Sequence, residues 1–138
     1  FALTMLELHK RNNPINVVSD QVGSPTSTLS LASACWAIIK NNHILQKSLV
    51  NDSCILHWTD AGVASWYDIA VAIGEIATTL ELIDKPTKVI SIEGKDFPSI
   101  ARRPSYSVLN CSDTRRLISL PAFHWRERIK EILTKIDR

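Results

Sequence analysis

Apolar positions in the opening stretch FALTMLELHKR recur at Phe1, Met5 and Leu8, the i, i+4, i+7 spacing of one helical face. The segment reads as a helix already under way at residue 1, and so as a piece of something longer. Asn12, Asn13 and Pro14 stop it, because proline cannot continue a helix and asparagine favours turns. INVV at 15–18 is short, β-branched and bounded by turn formers, the pattern of a buried strand. After the loop SDQVGSPT, the run LSLASACWAIIKN is long enough for a helix and places Leu29, Ala32, Trp36 and Ile39 on one side. Residues 41–53 are polar and rich in asparagine, and read as a loop.

The second half repeats the alternation. CILHW at 54–58 reads as a strand, and TDAGVA turns the chain toward Ser65, which caps the next helix while Asp68 returns the contact as a capping box. That helix, WYDIAVAIGEIATTL, turns Trp66, Ile69, Ile73, Ile76 and Leu80 inward. KVISI at 88–92 is a third strand and SVLN at 107–110 a fourth, after which Ser112 caps a short helix through Ile118. The last helix, HWRERIKEILTKID, buries Trp125, Ile129, Ile132, Leu133 and Ile136. Strands alternating with helices define an α/β fold, but three or four short strands are too few for a complete doubly wound sheet. Residues 1–50 therefore read as terminal elements that lean on a missing sheet, and residues 51–138 as a second unit.

Composition changes this picture little. The chain has 138 residues, 45% hydrophobic and 22% charged, which is the range of one ordinary globular domain. A net charge of +2, with both signs spread along the chain and no basic patch interleaved with aromatics, argues against nucleic acid as a partner. Cys35, Cys54 and Cys111 are odd in number and lack metal-ligand spacing, so they read as buried or semi-buried thiols in a reducing compartment. Asn51-Asp52-Ser53 and Asn110-Cys111-Ser112 match a glycosylation sequon and are read as turn and cap residues. No apolar run has the length of a membrane span, no signal peptide is visible, and the expected location is the cytoplasm.

Catalytic chemistry is sparse. Gly23, Gly62, Gly74 and Gly94 form neither a dinucleotide fingerprint nor a phosphate loop. His9, His43, His57 and His124 stand singly and read as surface or packed residues. Trp36, Trp66 and Trp125 fall on helical apolar faces and read as core, whereas Trp58 at a strand end is ambiguous. Two polar stretches remain. In SDQVGSPT, Asp20 and Gln21 follow the strand end at Val18, and ligands of open α/β sheets bind beyond the carboxyl ends of strands. The same loop also fits a turn chosen for its geometry. In SIARRPSYSVLNCS, Arg102 and Arg103 are either a solvated turn or an anion site, since guanidinium matches phosphate oxygens in bidentate fashion.

Four segments, VVSDQVGSPT, CILHWTDAGVASWYDIAVAI, DFPSIARRPSYSVLNCS and the tryptophan of FHWRERIKEIL, resemble in order and separation the carboxyl-terminal half of the dTDP-4-dehydrorhamnose reductase family. These are extended short-chain dehydrogenases/reductases. Related sugar-nucleotide reductases and the regulatory β subunit of methionine adenosyltransferase share the segment. The resemblance implies the small substrate-binding part of such an enzyme with its Rossmann half missing. That half would hold NADP and supply the glycine-rich loop and a Tyr-x-x-x-Lys pair, and the family transfers a hydride to the 4-keto carbon of a dTDP-sugar on the way to dTDP-L-rhamnose. Only Tyr67 and Tyr106 are present here, neither followed four residues later by lysine, so this chain alone is expected to bind no cofactor and to be inactive.

Residue by residue, Asp20, Gln21, Gly23, Pro25 and Thr26 match the family's D-Q-x-G-x-P-T, a wall of the nucleotide pocket, with Val18 beside it. Ser65 and Trp66 match a Ser-Trp helix start. Arg103 matches the A-x-R-P arginine and is expected on the diphosphate, with Arg102 second to it and Ser107 a neighbour. Ser30 stands where the family has aspartate, and Leu56 where it has tyrosine. The expected partner is a dTDP-sugar, with a homodimer through residues 1–20 as a further expectation. A non-catalytic regulatory or protein-binding domain of the same fold is the alternative.

Overall fold

The structure, a computed structural model, describes residues 1–41, 55–98, 101 and 103–136. Its organising element is a helix that starts at Trp66. Ser65 accepts a hydrogen bond from the Asp68 amide on Oγ (3.1 Å), and the Asp68 carboxylate accepts one from the Ser65 amide (2.8 Å). The expected capping box is therefore formed, and it satisfies amides that a helix start leaves without partners.

In chain order the elements are α1 (Ala2–Lys10), β1 (Ile15–Val18), β2 (Val22–Gly23), α2 (Thr28–Lys40), β3 (Ala64–Ser65), α3 (Trp66–Thr79), β4 (Val89–Ile92), α4 (Ser112–Ile118) and α5 (Trp125–Thr134). A single 3-10 turn, Gly94–Asp96, follows β4. β1 pairs in parallel with β4, from Ile15 opposite Val89 to Val18 opposite Ile92. β2 pairs antiparallel with β3, Val22 opposite Ser65 and Gly23 opposite Ala64. The result is a mixed α/β unit built on two small two-stranded sheets.

One core joins the two halves of the sequence. Met5 and Leu6 of α1 and Ile15 and Val17 of β1 pack with Ile69, Ala70, Ile73 and Ala77 of α3, and with Trp125, Ile129 and Leu133 of α5. Alanine at 70, 72 and 77 lets these neighbours approach α3 from several directions. Gly74 does the same for a histidine: a Cβ there would lie 2.6 Å from His9 Cε1 and 2.9 Å from Pro86 Cβ. His9 is only 2% exposed. Its Nδ1 accepts from the Thr87 amide (3.2 Å), so its Nε2 carries the proton and donates to the Ala70 carbonyl (3.0 Å). A polar ring is thus buried with both nitrogens satisfied, as a core requires.

Several expectations change. The inward face of α1 is Met5, Leu6 and His9, because His9 finds two polar partners in the core, while Phe1 stays half-exposed and packs its ring on Trp66 at 4.8 Å. Residues 55–58 form no strand: Ile55 is 78% exposed, and the His57 amide donates to Thr114 Oγ1 (3.1 Å) rather than to a ladder. SVLN is no strand either, since the pairing there is a single parallel bridge between Tyr106 and Val22, and β2 itself ends at Gly23, so the partner strand does not continue alongside residues 107–110. Ser112 is the first residue of α4, its amide donating to Asn110 Oδ1 (3.0 Å), so the side-chain contact comes from Asn110. α2 turns Ser30 and Ala34 inward and leaves Leu29, Ala32, Trp36 and Ile39 outside, with Trp36 61% exposed. Cys35, on the same helix, is exposed and Cys111 buried. In α5 the buried set is Trp125, Ile129 and Leu133, and Ile136 lies beyond the helix end and outside the core. Cys54, His43 and nearly all of the 41–53 loop lie outside the described residues.

Candidate functional site

Beyond the carboxyl end of β1 the chain is held by a short series of polar contacts. The Ser19 amide donates to the Ile92 carbonyl (3.0 Å), and Ser91 Oγ donates to Ser19 Oγ (2.6 Å). Both Asp20 carboxylate oxygens then accept from the Gly94 amide, at 2.9 and 3.0 Å. Gly94 lets the two side chains lie close: a Cβ there would come within 2.7 Å of Gln21 Nε2 and 3.2 Å of Asp20 Oδ1, so the Gln21 amide would have to shift. One residue on, Val22 is paired on both sides, with Ser65 of β3 and with the segment around Tyr106. The Val22 amide donates to the Ser105 carbonyl (2.8 Å), and the Ser107 amide donates to the Val22 carbonyl (2.9 Å). These bonds bring the SDQVG loop and the RPSYS segment, more than eighty residues apart in sequence, onto one wall.

Two adjoining hollows lie along that wall. The larger, about 1320 Å³, is lined by Val18, Asp20, Gln21, Lys95, Arg103 and Tyr106 among others, with Phe1, Trp66 and Phe97 as further aromatic faces. The smaller, about 500 Å³, has aliphatic walls at Val22, Pro25, Ile69 and Leu109. Gln21, Trp66, Arg103 and Pro104 border both.

The cations of the wall are not equivalent. Lys95 pairs with Glu93 at 2.7 Å, and its ammonium pKa is raised above the ordinary lysine value by the hydrogen bond to Glu93, then by the negative charges of Glu93, Asp96 and Asp20. Arg103 is exposed and forms no salt bridge among the described residues. An arginine without a carboxylate partner, on the rim of a cleft, is the group there that can pair with an incoming anion.

Of the six residues singled out from the sequence, Val18, Asp20, Gln21 and Arg103 meet in the larger cleft. Asp20 lines it with a carboxylate already engaged by Gly94, which makes it a clamp of the loop. Thr26 lines neither hollow: its Oγ1 donates to the Ser24 carbonyl (3.0 Å) and accepts from the Asp60 amide (3.4 Å), holding the start of α2. Arg102 lies outside the described residues. Trp66, Phe97, Lys95 and Tyr106 were not picked out as cleft residues. Tyr106 carried a signal, an aromatic isolated between two serines with no helical or strand period to bury it.

Each glycine is used for close packing or a turn: Gly23 against Ser107, Gly74 against His9, Gly94 against Asp20, and Gly62 at a φ of +88° beside His124. None is part of a backbone cradle for a pyrophosphate. Among the described residues no group of histidine, cysteine and carboxylate side chains could hold a metal ion, and no helix is long and apolar enough to cross a membrane.

Comparison with known proteins places these features in a family context. A family model described as the RmlD substrate binding domain matches residues 1–138. Among curated proteins, a dTDP-4-dehydrorhamnose reductase of Aggregatibacter actinomycetemcomitans is 31% identical over 135 residues, covering 96% of this chain and 44% of the relative. The spore coat polysaccharide biosynthesis protein SpsK of Bacillus subtilis is 35% identical over 133 residues, covering 96% and 41%. Among solved structures, a dTDP-4-dehydrorhamnose reductase of Clostridium acetobutylicum superposes with a TM-score of 0.81 at 32% identity, over 100% of this chain and 44% of that one. A Bacillus anthracis dTDP-4-dehydrorhamnose reductase in complex with NADP follows at a TM-score of 0.75 and 26% identity, over 98% and 43%. The chain thus spans less than half the length of the relatives it matches.

Proposed function

Because the chain belongs to the RmlD substrate binding domain family, we propose that it holds the dTDP-sugar of an NADP-dependent dTDP-4-dehydrorhamnose reductase, a cytoplasmic enzyme of dTDP-L-rhamnose biosynthesis. The observation that carries the reading is Arg103, a guanidinium without a salt bridge among the described residues, at the border of two adjoining hollows. A sugar nucleotide has its diphosphate between two neutral ends, so an anion contact at such a border suits it. Gln21 borders both hollows too and offers an amide to the ligand, while Asp20 keeps the loop in place through Gly94.

In this reading the chain binds and orients substrate. The hydride donor and the proton donor belong to residues outside it, consistent with glycines that are used for packing. Residues 51–138 supply Arg103 and most of the ligand site, the loop at Asp20 and Gln21 completes its wall, and the rest of residues 1–50 meets the Rossmann half, a division supported by the uncovered apolar face of α2. That face also favours a second reading, a non-catalytic domain that docks a protein partner. Two copies would associate through residues 1–20, across the edge of β1 that β4 leaves open.

Titration with dTDP separates these readings. Loss of a charge-assisted phosphate contact costs about 1.5 to 3 kcal/mol, so Arg103→Ala should weaken dTDP binding about ten- to hundredfold while leaving the melting temperature unchanged. Equal affinity in the variant would remove Arg103 from the site. No dTDP binding by the unaltered chain would favour the protein-docking reading.

A further inference from the structure

Tyr106 is unusual in combining a fixed backbone with an uncovered ring. The residues on either side of it are tied to Val22 by hydrogen bonds of 2.8 and 2.9 Å, and Ser107 Oγ adds a third to the Val22 carbonyl at 3.3 Å. Val22 is in turn paired with Ser65, which caps α3. The residue nevertheless stays 67% exposed and borders the larger cleft. A tyrosine held this way contributes little to the core, and an aromatic face left open on a rigid support is what stacking on a planar ligand requires.

The other aromatic faces of the cleft are less free or farther from the anion contact along the chain. Phe1 and Trp66 pack on each other at 4.8 Å, so part of each ring is already covered. Phe97 follows the 3-10 turn on another segment. Tyr106 is three residues from Arg103, and three residues of extended chain span at most about 10 Å. That is the order of separation between a base and its diphosphate across one ribose. The smaller hollow, apart from Trp66, has no aromatic wall.

We infer that Tyr106 is the face on which the nucleobase stacks, with Arg103 on the diphosphate, so that the nucleoside end of the ligand lies in the larger cleft. This rests on the sugar-nucleotide reading above. Tyr106→Ala, Tyr106→Phe and the unaltered chain would be titrated calorimetrically with dTDP and with inorganic pyrophosphate. Stacking of a base on an aromatic side chain is worth about 1–3 kcal/mol, so Tyr106→Ala should lose about 5- to 150-fold in dTDP affinity. Tyr106→Phe should retain affinity, because the ring and not the hydroxyl makes the contact, and pyrophosphate binding should be the same in all three. Unchanged dTDP affinity in Tyr106→Ala overturns the inference while leaving the sugar-nucleotide reading intact. A parallel loss of pyrophosphate affinity also overturns it, since the ring would then act only by positioning Arg103. Failure of the unaltered chain to bind dTDP overturns the reading and the inference together.

Discussion

α2 and α3 are nearly equal in length, 13 and 14 residues, and both are rich in alanine and isoleucine, yet they have opposite fates. α3 has neighbours on several sides, α1, α5 and both small sheets, and Ala70, Ala72, Ile73 and Ala77 are wholly buried. α2 touches the body through Ser30 and Ala34 and is tied at its start by Asp60, whose carboxylate accepts from the Ser27 amide at 2.8 Å. Its large apolar side chains, Leu29, Leu31, Trp36 and Ile39, point away from the described body of the chain. Apolar character is a requirement for burial but does not choose the partner. A helix that presents small residues to its own chain and large ones outward has its main hydrophobic surface available to something else.

Mutations can break this contrast, the strongest of them at the centre of α3. Ile73→Ala should cost about 2–5 kcal/mol, because the side chain is fully buried and the surrounding helices cannot collapse onto the gap. Urea denaturation followed by circular dichroism measures it, and a loss below that range would mean α3 is less tightly surrounded than the packing indicates. Next in size is the start of the same helix. Ser65→Ala removes the oxygen that accepts from Asp68 and should cost about 0.5–2 kcal/mol by the same measurement. Ser27→Ala is its counterpart on α2, where Oγ accepts from the Leu29 amide at 3.2 Å and lies 3.5 Å from the Ser30 amide. Its longer contacts place its cost at the lower end of that range, and a larger loss at Ser27 than at Ser65 would reverse the comparison. The smallest effect is expected on the outer face. Trp36→Ser should change stability by no more than about 0.5 kcal/mol, as for surface positions generally. A loss typical of a core tryptophan would show that α2 buries that face in solution, and light scattering over a concentration series would tell whether a second copy covers it.

The same contrast explains which parts of the molecule were legible. The capping box at Ser65 and Asp68, the inward row Ile69, Ile73 and Ile76, and the strands at 15–18 and 89–92 follow from local rules, in which side chains a few residues apart meet or share a face. The candidate site was partly legible, because Val18, Asp20, Gln21 and Arg103 carried polar chemistry at a strand end or a matched motif. Tyr106 and Phe97 were not, since an aromatic residue is a core candidate until the backbone shows where its ring points.

By itself the sequence determined the bodies of the helices, the capping box at Ser65, the strands around 15–18 and 89–92 and which family the chain resembles, since these depend on neighbours within a turn or two or on a matched pattern, whereas the strands expected at 54–58 and 107–110 do not form. Only the tertiary structure decided that α1 is anchored by His9, that β1 pairs with β4, and that Val22 brings Tyr106 and Arg103 beside Gln21. Each of those depends on groups sixty or more residues apart competing for the same hydrogen bonds and the same buried space. Gly74 illustrates the reason. It is a weak helix former in the middle of a helix, a local cost that yields a site where a histidine from α1 can lie against α3 and satisfy both of its nitrogens.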